Sequence, residues 1–222
     1  MGAMTASRGR GQHAGLNSRA ILQAAIRLAD REGLAALSMR RLGTELGVKA
    51  MALYHHFPNK DALLDGMVEE LATAAPVSFD GTDWRDGLRG YARVQLDTLA
   101  AHPNLVPLVL SRPATTAGNH RMMETLLQSL CAAGFQPRRA LDMVYALNGL
   151  ILVHAALGAG VGDAPQPHGE LGQTSRLAAL SAESYPLLAE AARASADRGP
   201  TARFEFALEA LLAGFADSRG ES

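Results

Sequence analysis

The chain has 222 residues, 48% of them hydrophobic but only 5% aromatic, with a formal net charge of −1. Alanine and leucine dominate, which favours helix over sheet, and the length suffices for one large domain or two small ones with real cores. No run approaches the roughly 20 consecutive apolar residues of a membrane span. The N-terminal stretch around Arg8 and Arg10 lacks the apolar centre of a secretory signal, and the single Cys131 cannot form an internal disulfide. A cytoplasmic protein with no membrane partner is therefore expected, with Cys131 a buried, inert thiol between Leu130 and Ala132. The charge is uneven: residues 1–66 carry nine Lys and Arg against five acids, the remainder twelve against seventeen. A basic head on an acidic body suits a polyanion at one end only.

Residues 1–15 are rich in Gly, Arg and Ser without periodicity and read as a disordered arm. It is either a solvated tail or one whose Arg8 and Arg10 reach a nucleic-acid groove. Order begins at Leu16, where Asn17 or Ser18 can cap a helix carrying Ile21, Leu22, Ala25, Ile26, Leu28 and Ala29 at helical spacing up to Gly33. Ser38 opens a short helix that turns Leu42 and Leu46 inward and stops at Gly47. A second short helix runs from about Lys49 to His56, and Phe57-Pro58 ends it. Asn59 caps a fourth helix with an apolar stripe of Leu63, Leu64, Met67, Val68 and Leu71, ending before Pro76.

Residues 76–83 read as a linker, and Asp83 caps a helix bearing Trp84, Leu88, Tyr91, Leu96 and Leu99. His102-Pro103 interrupts it, and a short apolar piece, Leu105 to Leu110, follows. A helix from about Thr116 to Ala133 stops at Gly134, and Pro137 opens one reaching Leu157 that is apolar on most of its circumference. The Gly- and Pro-rich residues 158–173 read as a long flexible loop. Two more helices are expected, at about Ala178–Ala196 and Thr201–Ala216. No period-2 segment of useful length and no tandem repeat is visible, so the fold class is all-α. The expected domains are the arm 1–15, a three-helix helix-turn-helix domain at 16–75 and a helical domain at 76–218.

Function concentrates between Ser38 and Lys60. Two short helices separated by Leu46-Gly47-Val48 have helix-turn-helix spacing, in which the second helix enters the major groove of duplex DNA. The groove-facing candidates are Lys49, Ala50, Met51, Leu53 and His55. Ala and Met can meet a thymine methyl, and Lys and His can donate to a guanine edge. Leu53, like Phe57, also fits the core of the three-helix unit. Around them stand Ser38, Arg40, Tyr54, His56 and Lys60 as phosphate anchors, with Met39 beside them on the first helix of the pair. Lys60 lies in the first turn after Asn59, so its amide and side chain can both meet one phosphate oxygen. His55 and His56 are adjacent, point apart and cannot share a metal, and Arg41 reads as a solvated face residue. No catalytic motif, metal site or cofactor motif is found. The run Gly158-Ala159-Gly160-Val161-Gly162 follows a helix instead of a strand, the wrong context for a phosphate cradle.

Residues 16–71 resemble the DNA-binding domain of the tetracycline-repressor (TetR) family of bacterial regulators. The matching runs are Ile26-x-Leu28-Ala29-x-x-x-Gly33, Leu37-Ser38-Met39-Arg40-x-Leu42, Leu46-Gly47-Val48, Leu53-Tyr54-x-His56-Phe57-x-Asn59-Lys60 and Leu63-Leu64. The resemblance implies that Tyr54 and Lys60 clamp phosphates and that Arg40 reaches a base or phosphate. It continues more weakly through Trp84, Ser111-Arg112-Pro113, Leu130-Cys131-x-x-Gly134-Phe135 and Arg139-Ala140-Leu141 into the C-terminal domain of the tetracycline repressors. There a histidine before the Arg-Pro step and a later acid help to hold a magnesium–drug complex. Here those positions fall on Leu108 or Val109 and near Leu157, which offer no ligand to a hard cation, so recognition of magnesium-tetracycline is not expected.

In its place a cavity for a small hydrophobic effector is expected, with Tyr91, Gln95, Leu108, Arg112, Leu126, Leu127, Val144, Tyr145 and Asn148 as lining candidates. For the leucines and the valine, plain core packing serves equally well. His154, in an apolar run, reads as a core or interface histidine. The resemblance further implies a homodimer through the helices near 140–157 and 201–216, two reading helices on a palindromic operator, and a repressor released by its effector. The competing reading is a helical DNA-binding dimer controlled by a protein partner or by no ligand.

Overall fold

A computed structural model describes residues 16–74, 83–112, 115–160, 176–177, 179–195 and 199–217. The arm 1–15, the linker-like run before Asp83, Pro113 and residues 161–173 of the expected loop lie outside them. Among the described residues there is no strand, and the chain divides into two compact units, Met1–Met67 and Val68–Ser222.

In the first unit each helix begins and ends where local chemistry dictates. Helix α1, Ser18–Glu32, starts at Asn17, whose side chain accepts from the Ala20 amide at 2.9 Å. It stops at Gly33, whose φ of 81° is costly for any residue with a Cβ. A 3₁₀ turn, Leu34–Ala36, leads to Ser38, whose hydroxyl accepts from the Arg41 amide at 3.1 Å and opens α2, Met39–Glu45. Gly47, at φ 66°, turns the chain into α3, Ala50–Tyr54. Asn59 then caps α4, Lys60–Ala72, accepting from the Ala62 amide at 2.7 Å. Each such cap contributes about 1 kcal/mol. Ile21, Leu28, Leu37, Leu42, Leu53, Leu63 and Met67 form a fully buried core. Burial of each stabilises the unit by about 1.5–3 kcal/mol.

The second unit is built around α8, Pro137–Gly158, which packs against α5 (Trp84–Ala101), α6 (Val106–Ser111), α7 (Ala117–Ala132) and α10 (Pro200–Asp217). By length and mean hydropathy (1.6 over its most apolar window) α8 matches a membrane-spanning helix, although Asp142, Asn148 and His154 interrupt it. Its buried face, Met143, Val144, Leu147 and Ile151, explains much of that apolarity as core. Trp84 meets Phe135 edge-on with centroids 4.9 Å apart, and His154 meets Phe204 the same way at 5.2 Å. The His154 Nδ1 pairs with the Leu150 carbonyl at 3.1 Å, so that nitrogen carries a proton, since a carbonyl can only accept. Across α5 and α10, Arg89 pairs with Glu209 and Arg93 with Glu205.

One expected helix is corrected. In place of about Ala178–Ala196, α9 covers only Pro186–Ala194, and residues 179–185 are turn, bend or irregular backbone. Pro186 sits at the first helical position, where its missing N–H costs nothing. Inside a longer helix its ring would strike the carbonyl four residues back.

Candidate nucleic-acid interface and ligand cavity

Helices α2 and α3 form a helix-turn-helix whose tightness depends on Gly43. The Val48 amide donates to the Gly43 carbonyl at 2.9 Å, and a Cβ on Gly43 would stand 2.9 Å from the Val48 carbonyl oxygen and 3.2 Å from the Ala50 nitrogen. Sequence reading passed over this residue in favour of Gly47. Its signal was a glycine inside a helix, which costs about 1 kcal/mol relative to alanine and so implies a packing reason.

The predicted DNA contacts separate by exposure. Ser38, Arg40, Lys49, Met51, Tyr54, His55 and Lys60 are exposed, and Ala50 and His56 are half-buried. Met51, a large apolar side chain on α3, is 69% exposed. Two expected contacts are corrected: Leu53 is fully buried and Met39 is 6% exposed, so both belong to the core that holds α2 and α3 together. On a five-residue helix seated by one apolar side chain, Leu53 cannot face inward and outward at once. His56 faces the Ser18 hydroxyl at 3.4 Å.

The cations also separate. Arg41 donates to both Glu32 and Glu45, and Arg31 to Glu45, in a surface network. The Arg41 guanidinium holds the Glu32 carboxyl below its ordinary range, and Glu32 in turn pushes Arg41 upward. Arg40, Lys49 and Lys60 form no ion pair among the described residues. Unneutralised cations around an exposed helix are what phosphate oxygens require, and Arg41 is already taken.

The second unit holds a cavity of about 790 Å³, within the range of small-molecule sites. Of the expected lining residues, Tyr91, Gln95, Arg112, Tyr145 and Asn148 border it. The others are corrected: Leu126 and Val144 are core residues, Leu108 is buried away from the space, and Leu127 packs against the core. From α7 the first turns reach the void, through Asn119, His120, Met122 and Met123, none of them anticipated. The last turn of α4 supplies Val68, Leu71 and Ala72.

At the deep end the Tyr91 hydroxyl donates to the Asn148 Oδ1 at 3.0 Å, and the Gln95 amide donates to the Ala72 carbonyl. Burial pushes the Tyr91 phenol up to about 12. Among the described residues no carboxylate lines the cavity, while Val109 borders it and Leu108 is buried. Among the described residues no cluster of three His, Cys, Asp or Glu exists. The residues present do not fit a magnesium–drug complex.

Two short helices on a glycine-bearing turn, with cations around the second that form no ion pair among the described residues, define a helix-turn-helix regulator that binds DNA. Residues 21–67 match the family described as bacterial regulatory proteins, tetR family, and residues 77–219 match the tetracyclin repressor-like C-terminal domain. The chain is 34% identical over 212 residues to the tetracycline repressor protein class A from transposon 1721 of Escherichia coli, covering 92% of each. Apo ActR from Streptomyces coelicolor superposes with a TM-score of 0.79 at 27% identity, covering 94% of this chain and 98% of that one. ActR in complex with actinorhodin gives 0.76 at 27% identity, covering 94% and 100%. The chain belongs to the TetR family of transcriptional regulators.

Proposed function

We propose that this regulator is a cytoplasmic homodimeric repressor that leaves a palindromic operator when a small hydrophobic effector fills its cavity. The observation that carries the reading is the cavity itself, bordered by the last turn of α4, whose first turn bears the phosphate anchor Lys60. In the DNA-reading domain, 16–75, Lys49, Ala50, Met51 and His55 of α3 read base edges, while Ser38, Arg40, Tyr54, His56 and Lys60 hold phosphates. In the second domain, 76–218, α8 and α10 pair with their copies in the partner. Val153, Leu157 and Phe206 are exposed apolar residues on those helices, at 57%, 51% and 72%, and Ala146, Gly149 and Ala210 leave room for close approach.

Effector binding shifts α6, which moves α4 as a lever and changes the separation of the reading helices. A ligand does this only through its differential affinity for the two states. Magnesium-tetracycline is not the effector, because the described lining residues include no carboxylate for a hard cation. Control by a protein partner alone would leave a 790 Å³ void without a use. The test is a footprint on the region upstream of the protein's own gene, repeated with hydrophobic metabolites and antibiotics. A protected palindrome that is released by one of them supports the reading. Protection unchanged by every compound that binds the protein overturns it.

A further inference from the structure

We infer that Asn119 selects the effector, by accepting a hydrogen bond from a hydroxyl or N–H group on an otherwise apolar, uncharged or anionic ring compound. The inference rests on the effector reading of the cavity and names the chemistry of that site.

Asn119, in the first turn of α7, is fully buried and lines the cavity. Its Nδ2 donates to the Thr116 Oγ1 at 3.0 Å and its backbone amide to the same oxygen at 3.3 Å, which pins the side chain. Its Oδ1 is buried with no hydrogen-bond partner. Buried polar atoms are nearly always paired, so an orphaned acceptor at a cavity wall calls for a donor from within the cavity. The opposite orientation of the amide would leave two N–H groups bare in place of one acceptor, a worse arrangement.

Two neighbouring donors are already occupied: the Tyr91 proton lies on Asn148 and a Gln95 donor lies on the Ala72 carbonyl. Burial keeps Tyr91 neutral, so its proton stays where it is. Leu71, Leu99, Met122 and Ile151 of the same lining are apolar and suit a ring system. With no carboxylate among the described lining residues, and Arg112 and His120 among them, a cationic ligand finds no counter-charge there. A ligand that packs against this wall without supplying a donor leaves the oxygen unsatisfied and gains less affinity.

The experiment is equilibrium dialysis of the full chain at pH 7 against naphthalene, 2-methoxynaphthalene and 2-naphthol, which share one ring system and differ in the donor. The wild-type protein is expected to bind 2-naphthol about tenfold more tightly than either analogue. In Asn119→Leu, which keeps the branched shape and removes the acceptor, that preference should fall below about twofold while naphthalene still binds. Equal affinities in the wild type, or a preference that survives in Asn119→Leu, overturn the assignment of Asn119 and leave the cavity reading intact. Where Asn119→Leu fails to fold, Asn119→Ala is read in its place, with the same loss of preference expected. Failure of all three probes to bind overturns the effector reading itself, and the assignment with it.

Discussion

Replacing Gly43 by alanine tests how α3 is seated. The added Cβ would stand 2.9 Å from the Val48 carbonyl oxygen, 3.2 Å from the Ala50 nitrogen and 3.4 Å from its Cα, all of them backbone atoms. Rotation of a side chain cannot relieve the contact, so the start of α3 must retreat by about 0.5 Å to restore ordinary van der Waals distance. Overpacking of this kind costs about 1–3 kcal/mol, and the better helix propensity of alanine returns about 1 kcal/mol. The net loss is therefore near 1 kcal/mol and at most about 2, which lowers the melting temperature by about 2–8 °C for a chain of this size. The displaced reading helix should also lose operator affinity by about tenfold or more, since base contacts tolerate little misplacement. The control is Gly90→Ala on the exposed face of α5, where a Cβ meets nothing within 4 Å. That change should stabilise the protein by about 0.5–1 kcal/mol and leave DNA binding alone. Calorimetry and fluorescence anisotropy on an operator fragment read both quantities. If Gly43→Ala melts as high as Gly90→Ala and binds operator normally, the close approach of α2 and α3 has no energetic role.

Lys60→Ala and Tyr54→Ala should weaken binding to specific and random duplexes alike, and Lys60→Ala should flatten the salt dependence by about one unit per protomer. Arg41→Ala should leave both nearly unchanged, because that guanidinium is taken by Glu32 and Glu45. Absorbance titration should show Tyr91 ionising near 12, against an ordinary 10.0, and Tyr91→Phe should remove that late step. Because burial raises this pKa in the folded state, the neutral phenol stabilises the fold fully below pH 10, and its contribution is lost as pH rises through about 12. Phe206→Asp, on the exposed face of α10, should convert the dimer to monomer in sedimentation velocity without loss of helix.

The caps at Asn17, Ser38, Asn59 and Asp83, and the stops at Gly33 and Gly134, could be read directly from the residues because each is a local event with its own chemistry. The failures were tertiary. An apolar pattern shows which face of a helix turns inward, but not which buried residues border a void. Leu126 and Val144 therefore looked like lining while Asn119, Met122 and Met123 did not. Leu53 and Met39 sit inside the helix-turn-helix motif, and proximity in the chain to exposed readers concealed that they face the other way. Pro186 was a readable signal that α9 starts late, overridden by the helical spacing of apolar residues before it.

The most direct measurement is dimethyl sulfate protection of an operator fragment, because the reagent attacks dG N7 in the major groove where α3 is placed. The account requires two protected clusters about one helical turn apart, ~34 Å or a multiple of it, with the protected bases altered in Lys49→Ala and Met51→Ala. Operator bound with every major-groove dG N7 still reactive would contradict it.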